Sequence, residues 1–265
     1  MRLFELTVGD GPLVAAAIHH GHELRSDVAK LIALDEAERL REEDPFTDEL
    51  AALAPTRLVG QRSRFEVDLN RPRKHAVYQR PEDAWGLDVW RETLPPCVVA
   101  ESLANYDLCY AVVHALVAQL IGRYGRVVVL DLHSYNHCRE GSGSAADATE
   151  NPEVNIGTGS LDRTVWAPVV ERFMTDLRAF DYFGRQLEVR ENVKFFGGHF
   201  PKWIHATFPE QACVIAVEFK KTFMDEWTGE LDRTRFDAIK AALQSTLPGI
   251  LAVLDETGVG ARTVA

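Results

Sequence analysis

The sequence predicts a three-layer α/β fold with a mixed, mostly parallel sheet covered by helices on both faces. Three observations predict it. Short, wholly apolar runs (LVAAAI at 13–18, VVVLDL at 127–132, CVIAV at 213–217) are separated by long helix-period stretches, the pattern of parallel strands buried on both faces. Each run leads into a cluster of polar residues, as strands do when their carboxyl ends form a binding edge. The 265 residues suffice for a substantial core, and no fixed-period repeat or long linker divides them. Residues 1–265 are therefore expected to form a single catalytic domain.

The elements follow in order. Residues 13–18 read as the first buried strand, because six consecutive apolar positions leave no face for water. Residues 26–42 carry helical periodicity. Residues 107–124 read as a second helix with Asp107 as its N-cap, and 127–132 as the next strand. The segment 141–159 (GSGSAADATENPEVNIGTG) is too rich in Gly, Ser and Asn to be an element and reads as a binding loop after a strand. A helix over 165–181, a strand over 213–217 and a helix over 232–255, capped by Asp232, complete the pattern.

Composition narrows the class. With 29 Lys+Arg against 40 Asp+Glu, the net charge of −11 argues against nucleic acid as a general partner. Cys97, Cys109, Cys138 and Cys213 form no C-x-x-C pair, so neither a zinc ribbon nor a thioredoxin-type motif is present, and free thiols in a reducing cytoplasm are expected. The N-terminus has no basic segment followed by a clean apolar one, and no stretch is expected to reach the apolar length of a membrane span. There is no G-x-S-x-G elbow, no G-x-G-x-x-G after a strand and no Walker loop, which disfavours serine-hydrolase and nucleotide chemistry.

The chemistry concentrates where strands end. The first run leads into His19-His20-Gly21-His22-Glu23, the second into His133-Ser134-Tyr135-Asn136-His137, and the third into Glu218-Phe219-Lys220-Lys221. Five of the nine histidines lie in the first two clusters. Histidine with carboxylate at one sheet edge is ligand chemistry for zinc with an open position for water. Any single strand-end histidine is more often structural, and none of the spacings is a self-sufficient zinc motif. Glu218, directly after a buried run, is awkward to bury without a purpose and is the candidate general base, the bland alternative being a surface pair with Lys220 or Lys221. The stretch 57–80 is rich in arginine, whose planar fork suits a carboxylate-bearing substrate. Arg62, Arg73, Lys74 and Arg80 read as a solvated basic loop.

Six ordered segments resemble the N-formylglutamate amidohydrolase family, which is related to zinc carboxypeptidases and aspartoacylase-like deacylases, and the resemblance implies that the α/β fold is phosphorylase/hydrolase-like. His19-His20-Gly21 is similar to its P-H-A/S-G, with Ile18 in place of the proline. Glu43-Asp44-Pro45-Phe46-Thr47-Asp48 occupies the place of its R-D-T-D-W stretch. Ser63 to Pro72 (SRFEVDLNRP) resembles S-R-Y/F-x-V-D-L-N-R-P and is the most specific match. Asp131-Leu132-His133-Ser134 is similar to D-x-H-S. Phe196-Gly197-Gly198-His199 resembles K-G-G-Y, with His199 in place of tyrosine. Val217-Glu218-Phe219 with Phe223-Met224-Asp225 resembles L-E-I/L-x-R-x-L-Y-M-D.

The resemblance implies one zinc ion, or another divalent metal, held by His133, by His19 and by Asp44, with His22, three residues on in the turn, as a further ligand or a substrate contact. Two registers compete at the first ligand: the closer family selects His19, whereas a carboxypeptidase-like H-x-x-E selects His20 with Glu23 as the carboxylate. Asp44 has an equally ordinary use at the start of the turn after Pro45. Glu218 would be the catalytic base and then acid. Arg71 would be catalytic at the developing oxyanion, with Asn70, Arg64 and His199 binding substrate. The implied substrate is a small acidic N-acyl amino acid, best N-formyl-L-glutamate, cleaved to formate and glutamate at the end of one histidine-degradation route. A peptide-cleaving zinc carboxypeptidase or cell-wall amidase, or a non-catalytic ligand-binding relative, is the alternative.

Overall fold

The computed structural model describes residues 2–256 except 142 and 145, two positions of the polar segment. β1 (Phe4–Thr7) and β2 (Leu13–Ala17) precede three short helices: α1 (Ser26–Leu31), α2 (Glu36–Glu42) and α3 (Thr47–Ala51). β3 (Thr56–Gly60) leads through two 3-10 turns to the long α4 (Pro96–Tyr124) and β4 (Val127–Tyr135). Then come β5 (Val154–Gly157), α5 (Arg163–Ala179), the small hairpin β6 (Asp181–Tyr182) and β7 (Arg185–Gln186), and β8 (Val189–Glu191). α6 (His199–Thr207), β9 (Ala212–Lys220) and α7 (Arg233–Glu256) close the fold.

Seven strands form one sheet in the order β1-β3-β2-β4-β9-β5-β8. β3, β2, β4 and β9 run parallel, while β1 pairs antiparallel with β3 and β5 antiparallel with β9. The predicted mixed, mostly parallel sheet is therefore present. Its period-two alternation divides the core. Leu13, Ala15, Leu130, Leu132, Ile215 and Val217 pack with α5 and α7. Val14, Ala16, Val127, Val129 and Val214 face Tyr110, Val113 and Val117 of α4 and Phe200 and Ile204 of α6.

Several boundaries differ from expectation for identifiable reasons. The helix predicted over 26–42 is two, because Asp35 starts a new one: its carboxylate accepts from Glu38 N–H while Glu38 accepts from Asp35 N–H. α4 begins at Pro96 rather than at Asp107. Proline suits a first helical turn, and Asp107 sits inside the helix with its carboxylate on Arg73 at 2.7 and 2.9 Å. This helix is also long and apolar enough to cross a membrane, which corrects the expectation that no stretch would be, although here it packs against the sheet. Asp232 does cap α7, accepting from Arg235 N–H at 3.0 Å. The polar segment 141–159 contains a buried strand, β5, in which Asn155 serves as a backbone substitute. Its Oδ1 accepts from Val193 and Lys194 N–H, and its Nδ2 donates to the Phe195 carbonyl.

Candidate metal centre and active site

β4 and β9 extend beyond their apolar runs, so His133 and Glu218 lie within strands, not after them. They are direct partners in the parallel register. Being an even number of residues from Val129 and Val214, they share the α4–α6 face of the sheet. β2 ends one strand away in the turn that carries His19. Asp44 is brought to it by a backbone bond from Asp44 N–H to the His19 carbonyl (3.0 Å), while Thr47 caps the Asp44 carbonyl and leaves the side chain free. Lys221, at the end of β9, donates to the carbonyls of Arg41 and Glu43 at 2.6 and 2.8 Å and so fixes the same turn from below.

The outcome is a buried cluster of His19, Asp44 and His133, whose donor atoms lie within 4.8 Å of one another. Asp44 Oδ2 lies 2.8 Å from His133 Nδ1 and 3.6 Å from His19 Nδ1. The outer nitrogens are held by other carboxylates: His19 Nε2 meets Asp68 Oδ1 at 2.7 Å, and His133 Nε2 is 3.1 Å from Asp131 Oδ1. This arrangement fits a divalent ion. If His19 donates through Nε2–H to Asp68, its Nδ1 lone pair points at a carboxylate oxygen, and two acceptors face each other across a gap that a cation would fill. The charges agree with that. Burial alone would raise the Asp68 carboxyl, but Arg64 and His19 outweigh it and hold it well below the usual range. Asp44 is likewise lowered against its burial by His133 and His19. Burial opposes charge on His133 too, yet Asp131, Asp44 and Glu218 raise its pKa well above the ordinary value. The pocket demands positive charge between its imidazoles.

Glu218 differs from the other carboxylates. Burial pushes its carboxyl up to about 7, with His133 opposing and Asp44 and Asp131 adding to the rise. No lysine pairs with it: Lys220 Nζ donates to the Asn151 carbonyl, and Lys221 is committed as described. The surface-pair alternative is thereby removed.

These groups line one cavity of about 260 Å³, together with Arg64, Asn70, Arg71, Trp85, Arg139 and the backbone of Phe196 to Gly198. Arg64 is anchored to Asp68 (2.9 Å), the Glu42 carbonyl and Tyr78 Oη, with its guanidinium over Trp85. Arg71 is looser, its side chain 39% exposed and in contact with Asp68 and the Asp83 carbonyl. Asn70 accepts from Phe200 N–H through Oδ1 and sets Nδ2 3.4 Å from His133 Nε2. A Cβ on Gly198 would lie 2.1 Å from that amide, so glycine is required where the loop crosses Asn70.

Of the residues expected from sequence, His19, Asp44, His133, Glu218, Arg64, Asn70 and Arg71 converge on this cavity. His20 and Glu23, the rival ligands, stay outside the three-donor cluster, and His20 faces Asp48 at 3.3 Å. His22 stands apart as well. Past the turn after β2 its ring meets Glu43 Oε2 at 2.5 Å and Arg39 at 3.2 Å, so it buttresses the turn bearing Asp44. His199 does not line the cavity. Its ring rests against Tyr110, and its N–H donates to the Asn70 carbonyl, because α6 begins there and turns the side chain toward α4. Sequence reasoning assigned no role to Asp68, Asp131, Lys221 or Arg139. The first two were legible as the carboxylates of the V-D-L-N and D-x-H-S segments; the others reach the site only through the fold.

Comparisons with known proteins agree with this geometry. The family model for N-formylglutamate amidohydrolase matches residues 11–224. No curated protein matches the sequence. Among solved structures, an N-formylglutamate amidohydrolase from Ralstonia eutropha is 18% identical with a TM-score of 0.72, covering 97% of this chain and 99% of that one. A gene product of Agrobacterium tumefaciens is 15% identical with a TM-score of 0.67, covering 97% and 96%. At these identities the structures speak for the fold, which they share, while the sequence model speaks for descent. The chain belongs to the N-formylglutamate amidohydrolase family.

Proposed function

We propose that the protein is a zinc-dependent amidohydrolase that cleaves a small acidic N-acyl amino acid, with N-formyl-L-glutamate the best candidate. The observation that carries this is the placing of Glu218, its carboxyl raised to about 7, in one cavity with the His19–Asp44–His133 cluster. A divalent ion held by those three side chains would lower the pKa of water and polarise the acyl carbonyl. Glu218, ionised near neutral pH, accepts the proton of the attacking water and returns it to the departing nitrogen. Asn70 and Arg71 face the same space and offer N–H groups to the acyl oxygen or the substrate carboxylate. Arg64, held in place by bonds to Asp68, Glu42 and Tyr78, keeps further N–H groups to offer a substrate carboxylate at the cavity wall. Asp68 orients the His19 imidazole by its hydrogen bond, and Asp131 places negative charge 3.1 Å from His133 Nε2.

Cavity size supports a small substrate. About 260 Å³, just under the roughly 300–1,000 Å³ of sites for drug-sized ligands, is room enough for a small N-acyl amino acid. The test is turnover of N-formyl-L-glutamate against N-formyl-L-leucine and an N-formylated peptide. One extra charged hydrogen-bonded contact is worth about 1.5–3 kcal/mol, so kcat/KM for the glutamate substrate is expected to be about 10–100-fold higher. Preference for the leucine compound or the peptide would overturn the assignment.

A further inference from the structure

A second group of metal-binding donors lies immediately beyond β4, built from His137, Cys138 and Glu226. It shares no residue with the His19–Asp44–His133 cluster, and the proposed hydrolysis does not use it. The donor atoms all lie within 4.8 Å of one another. His137 Nε2 is 3.8 Å from Cys138 Sγ and 3.6 Å from Glu226 Oε1, so one ring nitrogen faces both other donors. Glu226 is only 4% exposed. Its Oε1 accepts the N–H groups of His137 and Cys138 at 2.5 and 2.9 Å, which ties the carboxylate to the loop. Its Oε2 is buried and, among the described residues, has no hydrogen-bond partner. A buried carboxylate with one bare oxygen carries a desolvation cost that a bound cation would remove.

We propose that His137, Cys138 and Glu226 form a second metal site, for a borderline-soft divalent ion of the zinc class. The mixed nitrogen, sulfur and oxygen set selects against magnesium and calcium, which take oxygen ligands. The charges balance: a thiolate and a carboxylate neutralise a divalent ion, with the thiol proton released to solvent on binding. Lys194 and Lys220 direct positive charge at His137, and Glu226 offsets it. The site is a clip. It would fasten the loop after β4 to the segment after β9, where Trp227 Nε1 already donates to the Cys138 carbonyl at 3.0 Å. Asn136 and Arg139, which flank the two loop ligands, line the main cavity, so the clip sets one wall of it.

Cobalt(II) separates the two sites, because only this one holds sulfur. Titrating metal-free protein with cobalt is expected to fill one more equivalent in the wild type than in Cys138→Ser. A near-ultraviolet thiolate-to-cobalt charge-transfer band should accompany that equivalent and vanish in the variant. Equal stoichiometry with no such band, or a band that persists in Cys138→Ser, would overturn the proposal. A measurement on the unaltered chain guards against a variant that fails to fold. Alkylation of Cys138, followed by peptide mass, should slow with zinc bound and recover with chelator, because a metal-held thiolate is no longer a free nucleophile. An unchanged rate would equally count against the site.

Discussion

At the scale of single residues, the account rests on carboxylates that look alike in sequence and differ in environment. Asp44 and Asp68 are drawn toward the charged form by histidine and arginine, whereas Glu218 is pushed up by burial to about 7. The former suit ligation and orientation, the latter proton transfer. Replacing Glu218 by Gln is expected to lower kcat by about 10²–10⁴-fold, the usual worth of a general base, while thermal stability and metal content stay intact. Because the base must be ionised, kcat/KM should rise with pH along its acid limb. A cation between the histidines draws the Glu218 carboxyl downward, so the midpoint lies at or below about 7. An unchanged limb in the Gln variant would assign it to another group. Asp68→Asn replaces the charged acceptor on His19 Nε2 by a neutral amide and should weaken metal binding about 10–100-fold, read by competition with a chromogenic chelator. Unaltered affinity would show that the Asp68–His19 contact does not orient a ligand.

At the scale of elements, the site depends on how neighbouring strands and helices are fastened. α6 carries His205, whose Nε2 accepts from Val214 N–H of β9 at 2.9 Å and whose Nδ1 lies 2.8 Å from Ser160 Oγ. Burial lowers its pKa to about 4. Between that value and the unfolded value of about 6.5, the unfolded chain binds the extra proton, so stability is full above about 6.5 and falls as pH drops toward 4. The contribution lost by pH 5 is about 2 kcal/mol. In urea unfolding, His205→Gln should therefore show a smaller drop in stability from pH 7.5 to pH 5 than the parent. An identical drop would place the pH sensitivity elsewhere. The elements also show what was legible. The central strands announced themselves as unbroken apolar runs, and Asp232 announced the start of α7. β5 did not, since its burial comes from pairing with β9 and β8 and not from its own composition. Likewise α4 was read short, because its first turns carry Glu101 and Asn105 on the outer side and no polar cap.

At the scale of the whole molecule, five segments far apart in the chain meet at one sheet edge: the turns after β2 and α2, the stretch from Ser63 to Arg71, and the ends of β4 and β9. His19, Asp44, His133 and Glu218 were legible because each follows or ends an apolar strand or sits in a specific motif. Lys221 and Arg139 were not, because a lysine after a strand and an arginine in a loop carry no local signal. Their roles arise from contacts 178 residues apart with the Glu43 carbonyl and 97 residues apart with Glu42. His22 read as a ligand from its place in the turn and His199 as a substrate contact from the resemblance, and the fold turned both rings elsewhere.

The central claim is metal-dependent amide hydrolysis at the His19–Asp44–His133 cluster. Its most direct test is formate release from N-formyl-L-glutamate by protein stripped with chelator, then restored with zinc, beside a His133→Asn variant treated identically. The account predicts turnover in the untreated protein, loss on stripping, recovery with zinc, and no recovery in the variant. Formate release that survives complete removal of metal, or that zinc restores equally to His133→Asn, would contradict it.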